Sequence, residues 1–429
     1  MKFGKYTNLF ISNEFLLIHN TLENKLFRTS DDKLKAVLEE IYYDNKGIES
    51  ISNNKDFADV IESLKDGLFI IDDDYNETNI ANLRFSERAI TNKTLGLTIL
   101  PTRQCNFRCP YCYEEHENRV MADHMYDDIL QFINDYVKKN GTQLVNISWF
   151  GGEPMLEYEN ICKFMEKLRD TLVSDVLLTG SMTTNGYLLT SERFEKLLSY
   201  NVRHYQITVD GPKEFHDSTR FLAGGKGTWD VIMANLFAIK RNKSNFEIVI
   251  RTNISPELVE HLEEWYRYLS NNFINDKRFQ FHPEAIRDLG GADNSLLNND
   301  ISLYKKISEF NINLGIDVKK TYNFYSPFSM ICYASDRNAF VIDYDGKIKK
   351  CSVALDNDYN TVGQIRNKNA RFNEEKLSWW TSYPLKEKCY DCKIFPLCYG
   401  RKCPNGYCNE EYCDELFEIY KSKILTTIL

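Results

Sequence analysis

Cys105, Cys109 and Cys112 stand in the segment Cys-Asn-Phe-Arg-Cys-Pro-Tyr-Cys, directly after the apolar run Thr94–Pro101. Thiolates are the usual protein ligands of iron–sulfur clusters. Three thiols at this spacing, on a loop leaving a strand, can hold three corners of a four-iron cluster. The fourth iron is then left without a protein ligand, and an open position marks a catalytic rather than a structural metal site. The bland alternative is zinc, with His116 recruited beside the thiols, although zinc sites favour paired Cys-x2-Cys units or added histidines.

The elements that must carry this loop are legible in the hydrophobic pattern. From residue 94 to about residue 286, strand-like and helical runs alternate, which predicts a parallel sheet with crossover helices. The expected strands are Thr94–Leu100, Gln143–Phe150, Val176–Thr183, His204–Val209, Phe246–Thr252 and Arg278–His282. Helical periodicity falls between them, at Asp123–Lys139, Tyr158–Leu172 and Ser191–Tyr200. The first ninety residues read differently. Phe15–His19 and Lys25–Arg28 form an expected hairpin, Lys33–Ile41 and Phe57–Leu64 are helical, and Gly67–Asp72 is a strand. From about residue 300 the character changes again, because eight of the twelve cysteines lie between Cys332 and Cys413. Such a region, poor in continuous core, is expected to depend on bound metal for stability.

The three-cysteine segment resembles the signature of the radical S-adenosylmethionine (SAM) enzymes, Cys-x3-Cys-x-aromatic-Cys, with Tyr111 as the aromatic. That resemblance implies a partial (β/α)6, TIM-like α/β barrel in which SAM chelates the open iron. An electron from the cluster then cleaves the sulfonium to a 5′-deoxyadenosyl radical, which takes a hydrogen atom from substrate. Phe150-Gly-Gly-Glu-Pro154 matches the family's Gly-Gly-Glu-Pro motif, so Gly151, Gly152, Glu153 and Pro154 are expected at the SAM amino group. Paired glycines also let backbone approach a ligand closely. Thr184-Asn-Gly186 and Thr208-Val-Asp-Gly-Pro212 resemble the family's strand ends that face SAM. Asn185, Thr208 and Asp210 are thus candidates for its ribose or carboxylate, and Arg220 for a bidentate pair with the carboxylate. Each is otherwise an ordinary turn residue or, for Arg220, a surface ion pair.

Cys332, Gly346-Lys-Ile-Lys-Lys-Cys351, Cys389-x2-Cys392-x5-Cys398-x4-Cys403, Cys408 and Cys413 resemble the SPASM extension of radical SAM enzymes that act on peptides and proteins. The resemblance implies two auxiliary four-iron clusters, one on Cys332, Cys351 and Cys403, the other on Cys389, Cys392, Cys398 and Cys413. Cys408 has no clear counterpart and is available to complete the first. Tyr399-Gly-Arg-Lys402 puts four residues where the family usually has three, which leaves Cys403 and Cys408 less secure. A zinc ribbon on Cys389, Cys392, Cys398 and Cys403 is the alternative. Cys162 reads as a buried apolar residue of a helix.

The expected organisation is a winged-helix-like module over 1–90, a radical SAM barrel over 91–300 and a SPASM domain over 301–429. The N-terminal pattern is similar to precursor-recognition domains, which add a leader peptide to a sheet edge; a plain folded cap fits the pattern nearly as well. The resemblance implies a peptide maturase that forms a thioether or carbon–carbon crosslink in a ribosomal precursor, served by an electron donor such as flavodoxin or ferredoxin. Two alternatives stand beside it. A sulfatase-maturing enzyme would have Asp directly after the Gly-x4-Cys cysteine, where this chain has Ser352, with Asp356 further on. A non-catalytic iron–sulfur electron carrier would explain the cysteines but not Gly-Gly-Glu-Pro. No general base stands out; His282 and Glu284 on the last barrel strand are placed only by position.

Composition limits the partners. A net charge of −9 gives no support to nucleic-acid binding. No apolar run approaches the roughly 18 residues of a spanning helix, and the first residues lack a signal-peptide core. A cytoplasmic location is expected, where twelve cysteines are better explained by metal than by disulfides.

Overall fold

The computed structural model describes residues 1–12, 14–44, 57–289, 294–298, 300, 302–303, 306–307, 310, 326–382, 385–400 and 410–426. The chain divides into two compact units.

The first comprises Met1–Asn92, Asp317–Ser335 and Ser382–Leu429. It opens with β1 (Lys2–Phe3), β2 (Thr7–Ile11), β3 (Leu16–Asn20), β4 (Lys25–Thr29), α1 (Asp32–Asp44), α2 (Ala58–Asp66), β5 (Ile70–Ile71) and α3 (Glu77–Thr91). β2, β3 and β4 form an antiparallel sheet in that order, and β1 pairs with β5. The expected hairpin is β3–β4. Its turn is closed by Asn20 Oδ1, which accepts the backbone N–H of Leu22 (2.9 Å) and Glu23 (3.0 Å). Asn24 takes the left-handed conformation there, which its short polar side chain tolerates. β2 and α3 are additions to the sequence reading. β2 has no strong pattern of its own and becomes a strand by pairing with β3, which is how β-propensity usually acts. α3 is announced only by its N-cap, Asn76, which accepts the Asn79 N–H at 3.0 Å.

β3 is buried along its whole length. Leu16 and Ile18 pack with Leu34, Leu38 and Ile41 of α1 and with Ile61 and Leu64 of α2. Leu17, with Phe10 and Phe15, packs on the other side against Ile394, Leu397 and Cys398, and against Leu416, Tyr420 and Ile424 of the helix Glu410–Thr426. Each fully buried aliphatic contributes roughly 1.5–3 kcal/mol. The cysteine-bearing segment after Asp391 is therefore a structural layer of the N-terminal sheet, and Thr21 Oγ1 adds a 2.8 Å hydrogen bond to Lys393 O.

The second unit comprises Lys93–Ile316 and Asp336–Thr381. Its elements are β6 (Thr94–Ile99), α4 (Asp123–Asn140), β7 (Leu144–Trp149), α5 (Tyr158–Thr171), β8 (Leu177–Thr184), α6 (Ser191–Ser199), β9 (Val202–Thr208), α7 (Lys213–Thr219), α8 (Trp229–Lys240), β10 (Glu247–Ile254), α9 (Leu262–Leu269) and β11 (Phe279–Ala285). The six strands run parallel and pair in sequence order, β6 to β11. The sheet then continues beyond β6. β12 (Ala339–Ile342) is parallel to β6, and β13 (Lys347–Lys349), β14 (Thr361–Arg366) and β15 (Asn369–Phe372) extend it antiparallel to ten strands.

Most of these parallel strands alternate in burial. Leu95, Leu97 and Ile99, Val145, Ile147 and Trp149, and Ile248 and Ile250 form a buried face. The opposite positions, among them Thr98, Ser148, Ser181, Gln206, Arg251 and His282, are only half-buried. Parallel sheets are usually covered on both faces, and closed barrels fill their interior. This sheet keeps one face polar and accessible. Among the described residues no helix is long and apolar enough to cross a membrane.

His19, on β3, is fully buried beside the Tyr420 hydroxyl, and burial lowers its pKa from 6.5 to about 4. The unfolded chain binds this proton near pH 6.5 and the folded chain only near pH 4, so its contribution to stability is complete above 6.5 and falls as pH drops. In chemical denaturation, the unfolding free energy of wild type relative to His19→Gln should fall by about 2 kcal/mol between about pH 7.5 and about pH 5, a difference that isolates His19 from the other buried groups that titrate in this range.

Candidate active site

The loop between β6 and α4 has little regular structure, so neighbouring backbone must shape it. On one side Arg103 N donates to Arg119 O (2.9 Å), and Met121 N donates to Pro101 O (2.8 Å). On another, Arg108 N donates to Phe221 O (3.0 Å) and Ala223 N to Asn106 O (2.9 Å), with Phe107 buried beneath. The third support is the turn after β7. Glu153 N donates to Gln104 O at 2.7 Å and Gly152 N to Thr102 O at 3.2 Å. A Cβ on Gly152 would lie 2.1 Å from Gln104 O, and one on Gly151, at φ +106°, would lie 2.6 Å from Thr102 O. The glycine pair is needed because protein backbone, rather than a ligand alone, lies against it.

Glu153 is fully buried. Its Oε1 accepts Thr184 Oγ1–H (2.6 Å) and Met155 N–H (2.9 Å), and its Oε2 accepts Asn185 N–H (2.7 Å). This carboxylate thus ties the ends of β7 and β8 together. Pro154 starts the short helical turn that Glu153 caps. Asn185 Nδ2 donates to Asn106 Oδ1 (2.8 Å) and lies 4.0 Å from Cys105 Sγ, joining the end of β8 to the cysteine loop.

A second network forms beyond β9. The Tyr111 hydroxyl donates to Asp210 Oδ2 and accepts from Arg220 Nη1 (2.7 Å) and Asn253 Nδ2 (3.2 Å). Asp210 Oδ1 accepts Asn253 N–H at 2.8 Å. Asp210 N donates to His216 Nδ1 (3.1 Å), so the ring proton sits on Nε2, which meets Thr228 Oγ1 at 3.0 Å. Thr228 passes the chain on to Arg220 O at 2.6 Å. Burial, then the Arg220 charge, holds His216 well below its usual pKa, so the imidazole is neutral and acts as a spacer between Asp210 and Arg220. Arg220 is buried, and its Nε has no hydrogen-bond partner among the described residues. Thr208 is buried at the end of β9, in register with Arg251 of β10. A cavity of about 190 Å³ opens beside this network, lined by Pro110, Asp210, Asn253, Phe215, Leu258 and Ile286.

The donor set fits an iron–sulfur cluster and a carboxylate-bearing ligand. Burial raises the Cys105 thiol to about 12 and Cys112 to about 11, and raises Cys109 as well. Mutual proximity adds to this, since the Cys109 and Cys112 charges both push Cys105 up. Such thiols ionise only with a cationic partner, which metal ligation supplies. Among the described residues, no three His, Cys, Asp or Glu side chains are grouped to hold a single metal ion; a cluster, unlike one ion, holds its thiolates apart. The unpartnered Arg220 Nε is a fork donor suited to a carboxylate.

The remaining cysteines are distributed over both units. Cys351, in the second, accepts the N–H groups of Val353 (3.3 Å) and Ala354 (3.4 Å) on its sulfur. Cys332, Cys389, Cys392, Cys398 and Cys413 belong to the first. There Cys389 lies on the turn Glu387–Asp391 with Cys392 just after it, Cys398 ends the helix Phe395–Cys398, and Cys389 Sγ lies near Gly400. Cys403 and Cys408 lie outside the described residues. No disulfide joins the described cysteines to one another. Cys162 packs as a buried side chain of α5, as expected. His282 and Glu284 meet at 3.3 Å on β11. The sequence reading did not single out Asn106, His216, Thr228 or Asn253. His216 had a visible signal, lying between two chosen residues; the others become meaningful only when strand ends converge.

Fold and site define a mixed α/β protein with a large central sheet and a three-cysteine loop at the carboxyl end of its parallel strands. Residues 99–269 match the Radical SAM superfamily. The chain is 24% identical over 366 residues to the cysteine-type anaerobic sulfatase-maturating enzyme of Clostridium novyi, covering 77% of this chain and 96% of that protein. It is 25% identical over 350 residues to the radical SAM cyclopropyl synthase TigE of Paramaledivibacter caminithermalis, covering 73% and 69%. Among solved structures, anSMEcpe with bound AdoMet and Kp18Cys peptide superposes with a TM-score of 0.60 at 22% identity, over 78% of this chain and 98% of that one. The chain is therefore related to radical SAM enzymes, and it shares their fold.

Gly152→Ala must push the 102–104 backbone away, and overpacking of this kind costs about 1–3 kcal/mol. The expected outcome is a folded protein whose iron content after anaerobic reconstitution is clearly below wild type, measured by colorimetric iron assay beside circular dichroism.

Proposed function

We propose that this chain is a radical SAM peptide maturase that installs a thioether or carbon–carbon crosslink in a ribosomally made precursor. The observation that carries the reading is the closure of the Cys105–Cys112 loop onto the Gly-Gly turn and the Tyr111–Asp210–Arg220 network, at one end of a parallel sheet. Cys105, Cys109 and Cys112 would hold a four-iron cluster with an iron left open to SAM, and the bound pair would supply radical chemistry by reductive SAM cleavage. Arg220, through its unpartnered Nε, would take the SAM carboxylate, and Asn185, Thr208 and Asp210 would line its sugar. Glu153 and Asp210 act first by fixing loops, since both carboxylates are bonded within the protein. The cavity beside Asp210 and Asn253 offers space to part of the nucleoside. The remaining cysteines, Cys332 and Cys351 with Cys403 and Cys408, and Cys389, Cys392, Cys398 and Cys413, are assigned to two auxiliary clusters.

The N-terminal sheet is the candidate for leader binding. β4 is its edge strand, with Lys25, Leu26 and Arg28 exposed, and an edge strand offers unpaired backbone groups to an added strand. Alignment to the sulfatase-maturating enzyme covers nearly all of that protein but only 77% of this chain, which leaves room for a module that the relative lacks. That relative's likeness also supports a second reading, maturation of a sulfatase residue to formylglycine. Ser352, where that branch is expected to have Asp, weighs against it.

Reconstituted protein incubated with SAM and dithionite should release 5′-deoxyadenosine, and Cys109→Ala and Cys112→Ala should each abolish it in a chromatographic assay. Removing the whole N-terminal segment would strip the partner of Ile394 and Leu397 from the core, so a point change is the better probe. Should a short cysteine-bearing peptide be encoded beside the gene, Leu26→Glu is expected to weaken its binding by about tenfold in fluorescence polarisation, a loss of about 1.4 kcal/mol. Mass spectrometry of that peptide should show loss of two hydrogens per crosslink; formylglycine on the Kp18Cys peptide would favour the second reading instead.

A further inference from the structure

A buried ion cluster joins the Cys105–Cys112 loop to the β12–β13 hairpin. Arg103, two residues before Cys105, reaches Asp343 with a fork: Nε donates to Oδ1 at 3.2 Å and Nη2 to Oδ2 at 2.6 Å. Asp343 follows β12, 240 positions along the chain, and it also pairs with Lys349 Nζ at 3.1 Å. The side chains of Arg103, Asp343 and Lys349 are 5%, 2% and 4% exposed. Lys349 Nζ donates to Leu355 O, and the Leu355 side chain packs with Leu100, Phe150 and Val341. Tyr113 OH, just past Cys112, donates to Ser352 O at 3.3 Å. The loop that bears the three cysteines and the loop that follows Cys351 therefore meet around one set of buried charges. Asp356 stands 3.6 Å from Arg103 Nη1, and Glu114 Oε2 is buried nearby without a hydrogen-bond partner among the described residues.

Burying three charged groups is not an efficient way to gain stability, because desolvation offsets most of the Coulomb attraction and apolar replacements often do as well. What a fork between distant segments does supply is registry. It also supplies a fixed charge beside whatever the loop holds, and cluster potentials respond to nearby charge and hydrogen bonding.

We propose that Arg103 and Asp343 are positioning residues that hold the cysteine loop against the Cys351 loop and set the reduction potential of the centre carried by Cys105, Cys109 and Cys112. This rests on the reading of that loop as an iron–sulfur site. Removing the Asp343 charge leaves the buried cations in excess, which favours the more negative, reduced centre. Removing the Arg103 charge does the opposite.

The test is an EPR-monitored redox titration of the full-length, anaerobically reconstituted protein. Relative to wild type, Asp343→Asn should shift the midpoint potential of the SAM-responsive signal to more positive values. Arg103→Gln should shift it to more negative values, and the double variant should return toward wild type. Arg103→Lys, which keeps the charge but loses the fork, should leave the potential in place while lowering iron retention. Single variants that bind iron normally at the wild-type potential, or that both shift with the same sign, would overturn the proposal. A wild-type protein with no iron and no SAM-responsive signal would instead overturn the iron–sulfur reading on which it rests.

Discussion

The architecture of the site depends on backbone approaching backbone with no side chain between. The segment Thr102–Gln104 rests directly on Gly151 and Gly152, at separations that a single added carbon would violate. A loop with so little regular structure cannot hold three thiols in place by its own propensities. It is held because the ends of β7 and β8 and the segment 221–223 each contribute backbone or amide contacts to it. Loops from several parallel strands converge at the strands' carboxyl ends, which is where α/β enzymes place their chemistry, and here that convergence builds a cradle for the cysteine loop.

The same region shows how buried polar groups are kept satisfied. Glu153 and Asp210 are buried carboxylates whose pKa values burial raises. Each is stabilised by two or three donors from separate elements, which is the condition under which such burial is tolerated. Their first effect is to tie strand ends together, and His216, kept neutral, completes the link from Asp210 to Arg220. Among the described residues, the Arg220 guanidinium keeps one donor, Nε, without a hydrogen-bond partner inside this frame. A ligand carboxylate would find its partner already oriented, with little ordering left to do.

The chain order of the elements is a poor guide to the compact units. The ten-stranded sheet takes in β12–β15, so a segment expected with the C-terminal cysteines is distant along the chain from, yet continuous with, the six parallel strands. The first unit likewise brings β3 and residues 394–398 into one core. In both cases apolar faces decide the grouping, since an exposed face on β3 or β6 would forfeit its burial energy.

Period and motif alone determined much of this protein. The six parallel strands were visible as apolar runs separated by helical repeats, and the cysteine spacing and Gly-Gly-Glu-Pro marked the loops that carry chemistry, because these signals are local. The tertiary structure decided the rest. It gave β2 its strand, through pairing with β3, and gave Glu153 its role as a tie between strands. It showed that the glycines accommodate neighbouring backbone, and it joined Arg103 to Asp343 across 240 positions. Those features arise from contacts between segments far apart in the chain, and no residue pattern within a single window encodes which distant partner a side chain will meet.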